Sequence, residues 1–236
     1  MHSQALRHAK ACDTMPYEVI FMDKKAVLFD LDGTLVNSLP DISNSMNEAL
    51  RLHNLPVHEQ AAYAYMVGNG ARVLAQRAVG THQELVDDVL KTYRAHYAVH
   101  CFDSSYIYDG ILELLSALLE KGLQLVVLSN KDDPDVKTVM NHYFPGFPFT
   151  ILRGRLPGVP LKPDPTAALN IAKELGLSPD EFWYFGDTPV DCTCCLNAGM
   201  HFIGVSYGFR TREEIASAGA QTIVDSPLDA LAIISK

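Results

Sequence analysis

The sequence predicts an α/β fold, with a doubly wound parallel-sheet (Rossmann-like) core and an inserted helical cap domain. Two observations carry this prediction. Short, almost continuous apolar runs alternate with helix-length segments from about residue 109 onward, which is typical of parallel strands covered on both faces. Residues 37–108 break this alternation, because they hold several helical patterns and no convincing strand.

The first core strand is predicted at residues 26–30, an apolar run that ends in a carboxylate. Five further apolar runs predict strands at residues 123–128, 149–152, 182–185, 202–205 and 222–224. Helices are predicted between them at residues 111–121, 134–143, 165–175 and 190–197, with Pro or Gly at several of their ends. Residues 24–36 and 109–236 therefore form the predicted core, whose active groups should lie at the carboxyl ends of the strands.

Residues 37–108 are predicted to form the helical cap. Apolar residues at helical spacing share a face in two segments, which are Ile42, Met46, Ala49 and Leu50, and then Val86, Val89, Leu90, Tyr93 and Tyr97. We interpret both stripes as the core of a helix bundle. Because the insertion begins just after the first strand, it should lie over the carboxyl ends of the sheet as a lid.

The composition is that of a globular, acidic protein. The 236 residues are 48% hydrophobic and 20% charged, an ordinary balance for a chain that folds. With 28 acidic and 19 basic side chains the net charge is -9, which disfavours nucleic acid and anionic membrane surfaces as partners. No apolar run approaches the roughly 18 residues of a membrane span, and five cysteines are no disulfide framework. A cytoplasmic location is expected.

Residues 1–23 have scattered apolar residues without periodicity and no signal-peptide pattern. We interpret them as an N-terminal extension, either mobile or the product of an upstream start codon. The sequence leaves the oligomeric state open, since no coiled-coil pattern or other interface signature stands out.

Two carboxylates, Asp30 and Asp32, follow the first predicted strand. Desolvation and mutual repulsion would be costly there without a cation, and a hard divalent metal is the natural partner. Asp30 could attack phosphorus as a nucleophile, and Asp32 could supply and retrieve a proton. Gly33 would let backbone N–H groups approach a phosphate. The pair alone is weak support, because Asp often ends a strand for turn chemistry.

Three further polar groups follow later predicted strands. Ser129 and Asn130 can offer a hydroxyl and backbone amides to phosphoryl oxygens, or simply cap a helix. Lys162, in a proline-stiffened loop, could neutralise phosphate charge, although a solvated loop lysine is the more ordinary interpretation. Asp187 and Asp191 could complete an oxygen-ligand metal site, or serve as helix caps.

These four groups, in this order, resemble the motifs of the haloacid dehalogenase superfamily of phosphatases, and specifically its phosphoglycolate phosphatase-like members. The resemblance spans the chain from residue 25 to its C-terminus. It implies that Asp30 is the nucleophile and Asp32 the general acid and base. It implies that Ser129 and Lys162 bind the phosphoryl group, and we add Gly33, Thr34 and Asn130 to the predicted phosphate-binding residues. It also implies a Mg²⁺ ion held by Asp30, the Asp32 carbonyl and Asp187, with Asp191 assisting.

By the same resemblance, the chain is expected to hydrolyse a small phosphorylated metabolite, phosphoglycolate or a related phosphomonoester, through an aspartyl-phosphate on Asp30. A threonine at the position of Thr34 is similar to the phosphatases of the superfamily, whereas its sugar phosphomutases often carry an aliphatic residue at this position. Two alternatives stay open, a phosphomutase of a phosphosugar and a non-catalytic phosphate-binding protein. The intact set of Asp30, Asp32, Lys162 and Asp187 argues against the second.

Two features outside these motifs have competing interpretations. Residues 68–72 resemble the lid loop that faces the substrate in this group, and Arg72 could grip a substrate carboxylate or lie on the surface of a helix. Cys192, Cys194 and Cys195 fall on a predicted helix without a matching second ligand pair. We favour buried apolar side chains over a zinc site for these cysteines.

Overall fold

The computed structural model describes residues 24–234, so the predicted extension at residues 1–23 lies outside the described residues. Strand β1 (Ala26–Phe29) opens the core, and all four of its side chains are buried. Val27 and Phe29 pack into one apolar cluster, and Ala26 and Leu28 into a second one. Successive side chains of a strand point to opposite faces. The uninterrupted apolar run is therefore explained by protein on both faces of the sheet.

A short ribbon connects the core with the cap. Strand β2 (Val36–Asn37) leads out of the core and β3 (Tyr106–Ile107) leads back, and the two pair antiparallel with Val36 opposite Ile107. The expectation that residues 37–108 hold no strand is wrong here, because a two-residue strand whose partner lies at the far end of the cap leaves no local signal. The predicted boundaries at residues 37 and 108 lie at this ribbon.

Four α-helices lie between these two strands. They are α1 (Leu39–Leu52), α2 (Gln60–Met66), α3 (Ala71–Ala78) and α4 (Val86–His100), with a 3-10 turn at Gln83–Leu85. The helices enclose an apolar cluster of their own, and both predicted stripes, on α1 and α4, are buried in it. The cap is thus a small helix bundle held by the residues whose spacing predicted it.

The rest of the core alternates helix and strand. Its elements are α5 (Ile111–Glu120), β4 (Gln124–Asp132), α6 (Asp133–Tyr143), β5 (Phe149–Arg155), α7 (Thr166–Leu175), β6 (Phe182–Gly186), α8 (Pro189–Ala198), β7 (His201–Val205), α9 (Arg212–Ser217), β8 (Ile223–Val224) and α10 (Asp229–Ile234). The strands pair in parallel in the order β5-β4-β1-β6-β7-β8. The doubly wound sheet is confirmed.

Helices cover both faces of this sheet. Residues of α5, α6 and α10 pack into one apolar cluster with the sheet, and residues of α7, α8 and α9 pack into the other. Cys192, Cys194 and Cys195 are fully buried in the second cluster, where they act as small apolar side chains. Within residues 24–234, no helix combines the length and apolarity that a membrane crossing requires.

Candidate active site

Three acidic residues meet at the carboxyl edge of the sheet. Strand β1 lies between β4 and β6, so the residues that follow these strands are neighbours in space. Asp30 follows β1 and donates its backbone N–H to the Phe185 carbonyl at 2.9 Å. Asp187 follows β6, and Asp191 lies in the first turn of α8. Carboxylate oxygens of Asp30, Asp187 and Asp191 all lie within 4.8 Å of one another.

Lys162 reaches this cluster from the loop after β5. Its ammonium group donates to Asp30 Oδ1 at 2.7 Å, to Asp191 Oδ1 at 2.7 Å and to the Leu128 carbonyl at 3.0 Å. Burial lowers the pKa of Lys162, but the carboxylates of Asp191 and Asp30 outweigh this effect and hold its pKa above the ordinary value. The side chain is only 3% exposed, so Lys162 is a buried ammonium and not a solvated loop lysine.

The carboxylates outnumber the cation that they surround. Burial raises the pKa of Asp30 to about 7, with Lys162 opposing and Asp191 adding to the rise. Burial, and then the charges of Asp191 and Asp30, raise the pKa of Asp187 well above its ordinary value. Three buried carboxylates around one ammonium leave negative charge without compensation. This donor set fits a hard divalent cation, which prefers carboxylate oxygens and would remove the repulsion.

The backbone closes tightly over Asp187. Its carboxylate accepts a hydrogen bond from the Phe209 N–H at 2.7 Å and from the Thr34 hydroxyl at 3.3 Å. Gly33 has a φ of +93°, and a Cβ at Gly33 or at Gly208 would overlap the Asp187 side chain. Thr34 therefore supports Asp187 through its side chain, and glycine is required at these two positions by close approach.

Asp32 is held by residues that the sequence did not single out. The Lys131 ammonium donates to both of its carboxylate oxygens at 2.9 Å, and the Ser38 hydroxyl donates to Oδ1 at 2.6 Å. Lys131 lies on β4, which continues to Asp132, past the predicted end at Leu128. One signal could have found it, namely its place beside Ser129 and Asn130 at the end of a predicted strand.

Ser129 and Asn130 also lie on β4, and they make different contacts. Ser129 is buried, lines the cavity described below and accepts the Lys131 N–H at 3.2 Å. The Asn130 side chain accepts the Lys162 N–H at 2.9 Å and donates to the Lys162 carbonyl at 3.0 Å and the Gly68 carbonyl at 2.8 Å. The Asn130 side chain thus fixes the Lys162 loop and ties it to the cap, and the phosphate contact expected of Asn130 stays a prediction.

Arg72 does not reach this site. Its guanidinium donates to Asp87 at 2.6 Å, and its side chain is 55% exposed on the cap. Its neighbour Ala71 lines the cavity instead. The predicted contact between Arg72 and a substrate carboxylate is therefore corrected, because the orientation of α3 turns this arginine to the surface.

A cavity of about 250 Å³ lies between the cap and the strand ends. The core side of its wall is polar and includes Asp30, Asp32, Lys131 and Lys162. The cap side is mainly apolar and includes Ile42, Val67, Leu74, Tyr93 and Tyr97. The helices therefore lie over the carboxyl edge of the sheet, where the sequence predicted a lid.

The chain is similar to known proteins over most of its length. It is 34% identical over 210 residues to the phosphoglycolate phosphatase of Rhodospirillum rubrum, a match that covers 85% of this chain and 87% of that protein. It is 31% identical to the phosphoglycolate phosphatase of Mannheimia succiniciproducens, with coverage of 89% and 98%. A solved structure from Haemophilus somnus, described as a predicted phosphoglycolate phosphatase, superposes with a TM-score of 0.84 at 31% identity, covering 90% of this chain and 99% of that one.

The family model of the haloacid dehalogenase-like hydrolases matches residues 27–205. This range begins in β1, ends with β7 and contains the whole cap and every residue of the acidic cluster. The four motifs, the fold and the relatives agree, and the chain belongs to the haloacid dehalogenase-like hydrolase family.

Proposed function

We propose that this protein is a Mg²⁺-dependent phosphatase that hydrolyses a small phosphomonoester, phosphoglycolate or a related metabolite, through an aspartyl-phosphate on Asp30. The observation that carries the proposal is the buried cluster of Asp30, Asp187 and Asp191, in which Asp30 and Asp191 pair with Lys162. The names of the relatives support phosphate ester hydrolysis. The acidic net charge of -9 supports an enzyme that binds neither nucleic acid nor anionic membrane surfaces, and we place it in the cytoplasm because its five cysteines form no disulfide framework.

The metal would be held by Asp30, Asp187 and the main-chain carbonyl of Asp32. When bound, Mg²⁺ supplies positive charge that offsets repulsion between a phosphate dianion and Asp30 and stabilises charge on the phosphoryl oxygens. Asp191 already accepts from Lys162 through Oδ1 and from the Thr188 hydroxyl and N–H through Oδ2. We therefore assign Asp191 an assisting role, in which it holds Lys162 beside the nucleophile.

The chemical steps use Asp30 and Asp32. A carboxylate oxygen of Asp30 forms a bond to phosphorus while the ester oxygen departs with the bonding electrons and takes a proton from Asp32. In the second step Asp32 takes a proton from water, whose oxygen attacks phosphorus and displaces the Asp30 carboxylate. Lys162, the Ser129 hydroxyl and the backbone N–H groups of the loop at Gly33 and Thr34 would bind the phosphoryl oxygens throughout.

The cavity supports a small substrate. Its volume of about 250 Å³ lies below the roughly 300–1,000 Å³ of pockets that hold drug-sized ligands. A phosphoryl group bound at Asp30 and Lys162 would fill the polar end of this space. The room left beneath the cap then suits a leaving group of a few atoms.

The direct test is the variant Asp30→Asn, compared with Asp88→Asn on the exposed surface of α4. Phosphate release from 2-phosphoglycolate is measured with Mg²⁺ and after chelation by EDTA. We expect Asp30→Asn to lose at least about 10³-fold in kcat, while its thermal unfolding midpoint without metal stays equal or rises because one repelling charge is gone. Asp88→Asn should match the wild type in both measurements.

Near-normal turnover of a folded Asp30→Asn protein would reject Asp30 as the nucleophile. Undiminished turnover after metal removal would reject the metal requirement. Conversion of a phosphosugar to its isomer without release of free phosphate would identify a phosphomutase instead.

A further inference from the structure

We propose that Lys131 and Tyr97 form a subsite that recognises a carboxylate on the leaving group of the substrate. The proposal rests on the function proposed above and names the residues that select the substrate. Lys131 comes from β4 of the core and Tyr97 from α4 of the cap, and both line the cavity. The subsite would therefore be complete only with the cap in place over the strand ends.

Lys131 is a buried ammonium beside the proposed general acid. Its side chain is 8% exposed, and its Nζ lies 2.9 Å from each carboxylate oxygen of Asp32. Asp32 must reach the ester oxygen to protonate it, so a group one or two bonds beyond that oxygen comes next to Lys131. Because the Lys131 ammonium is equally close to both oxygens of Asp32, it is already placed to bind a carboxylate. A substrate carboxylate can share it with Asp32.

Tyr97 supplies the second, independent observation. Its side chain is 5% exposed, and within residues 24–234 its hydroxyl is buried without a hydrogen-bond partner. Its ring lies under Lys131, with 5.0 Å from Nζ to the ring centroid. Burial, followed by the charge of Asp32, raises the pKa of Tyr97 well above its ordinary value, so the phenol keeps its proton. A buried donor of this kind is stabilised by an acceptor, and a carboxylate oxygen held by Lys131 would provide one.

The other cations of the cavity wall are committed elsewhere. Lys162 donates to Asp30, Asp191 and a backbone carbonyl, and the function proposed above assigns it to the phosphoryl group and not to the leaving group. Arg94 pairs with Asp132 at 2.8 Å, with a side chain that is 45% exposed. Lys131 is thus the cation best placed to receive a negative charge on the leaving group.

The cap wall argues against a sugar as leaving group. It is built largely from aliphatic side chains, among them Ile42, Val67 and Leu74. Several sugar hydroxyls placed against such a surface would lose their hydrogen bonds to water without replacement. A short acid with one carboxylate, taken up by Lys131 and Tyr97, would leave few polar atoms unsatisfied. The cap wall therefore favours a short acid as leaving group over a sugar.

Two esters of nearly equal size test the inference. 2-Phosphoglycolate carries a carboxylate where ethyl phosphate carries a methyl group. The readout is the ratio of kcat/KM for the two esters, measured for the wild type, Lys131→Met, Lys131→Arg and Tyr97→Phe. Lys137→Met and Tyr65→Phe serve as matched controls, because both of these residues are exposed at the surface.

We expect the wild type to prefer 2-phosphoglycolate. Lys131→Met should lower the ratio by roughly 10- to 100-fold and Tyr97→Phe by about tenfold, the range for hydrogen bonds to a charged group. Lys131→Arg should restore part of the ratio, and the controls should leave it unchanged. A lysine that only positions Asp32 would slow both esters equally and keep the ratio constant.

The outcomes separate the two proposals. If the wild type hydrolyses both esters but Lys131→Met and Tyr97→Phe keep its ratio, the subsite is overturned and the phosphatase function stands. If the wild type hydrolyses neither ester, the proposed function fails and the subsite fails with it.

Discussion

Replacement of Lys162 by methionine tests the electrostatics of the site most directly. Its ammonium lies 2.7 Å from both Asp30 and Asp191, in a side chain that is 3% exposed. Methionine has a similar length and no charge, so the carboxylates lose their partner while packing changes little. Removal of one partner from a buried ion pair costs about 3–5 kcal/mol of unfolding free energy.

The matched control is Lys137→Met. The Lys137 ammonium also lies 2.7 Å from a carboxylate, that of Asp133, but its side chain is 56% exposed and the pair lies on one helix at i,i+4. Pairs of this kind contribute about 0.3–0.5 kcal/mol. The two ion pairs have equal N···O distances but different burial, so the losses of unfolding free energy in the two variants should differ several-fold.

The loss in Lys162→Met should also grow with pH. Burial raises the pKa of Asp30 to about 7 even with Lys162 present, and removal of the ammonium raises it further. A carboxyl group whose pKa is higher in the folded state stabilises the protein below its unfolded pKa, and this stability is lost as pH rises through the folded pKa. We therefore expect a larger loss at pH 8 than at pH 5.5, where Asp30 can stay protonated.

Urea unfolding in EDTA at both pH values measures these free energies. The reasoning is refuted if Lys162→Met loses no more than Lys137→Met, or if its loss is the same at the two pH values. A gain in stability would show that the carboxylates repel one another less than their burial implies.

Three further predictions follow from the same site and its surroundings. Gly33→Ala should both lower the free energy of unfolding and weaken Mg²⁺ binding in calorimetry, because the added Cβ would overlap Asp187. Gly122→Ala is the control: it is also at positive φ but has free space around its Cβ, so it should cost only about 1–2 kcal/mol of unfolding free energy. Equal metal affinity in both variants would contradict this. Because the pKa of Asp30 is raised to about 7, protons compete with Mg²⁺ for its carboxylate. The rise in thermal unfolding midpoint on adding Mg²⁺ should therefore be larger at pH 8 than at pH 5.5. A larger rise at pH 5.5 would contradict this competition. Burial raises the pKa of the Cys194 thiol to about 11 and that of the Cys195 thiol further. Mass spectrometry should therefore find both thiols unmodified after iodoacetamide treatment of the folded protein at pH 8, and alkylated in guanidinium. Rapid alkylation of the folded protein would disprove their burial.

The core could be predicted from the sequence because its strands are buried on both faces. Each strand of the core is then visible in the sequence as an apolar run, and Asp30, the proposed nucleophile, directly follows the run of β1. The order of the motifs along the chain brought Asp30, Asp187 and Asp191 together as expected. Lys162 was a candidate from its loop alone, but only the family resemblance favoured it over a solvated lysine, since the loop carries no local sign that the lysine is buried.

The parts that the sequence did not predict depend on contacts between distant segments. The β2 and β3 ribbon joins the two ends of the cap and has no apolar run of its own. Lys131 contacts Asp32 and Tyr97, which come from two other parts of the chain, so its place at the site is not visible in the local sequence. The sequence left both a substrate contact and a surface position open for Arg72, because a sequence pattern gives the spacing of α3 but not how the helix is turned against the core.

The central place of β1 in the sheet has a consequence for how the chain is made. Its two neighbours begin only at Gln124 and Phe182, and translation from β1 to β6 takes roughly 8 to 30 seconds at about 5–20 residues per second. The cap helices, by contrast, contact one another locally and leave the ribosome together. Asp30, the proposed nucleophile, is thus synthesised among the first described residues, and the apolar strand beside it lacks its second neighbour until β6 has been made.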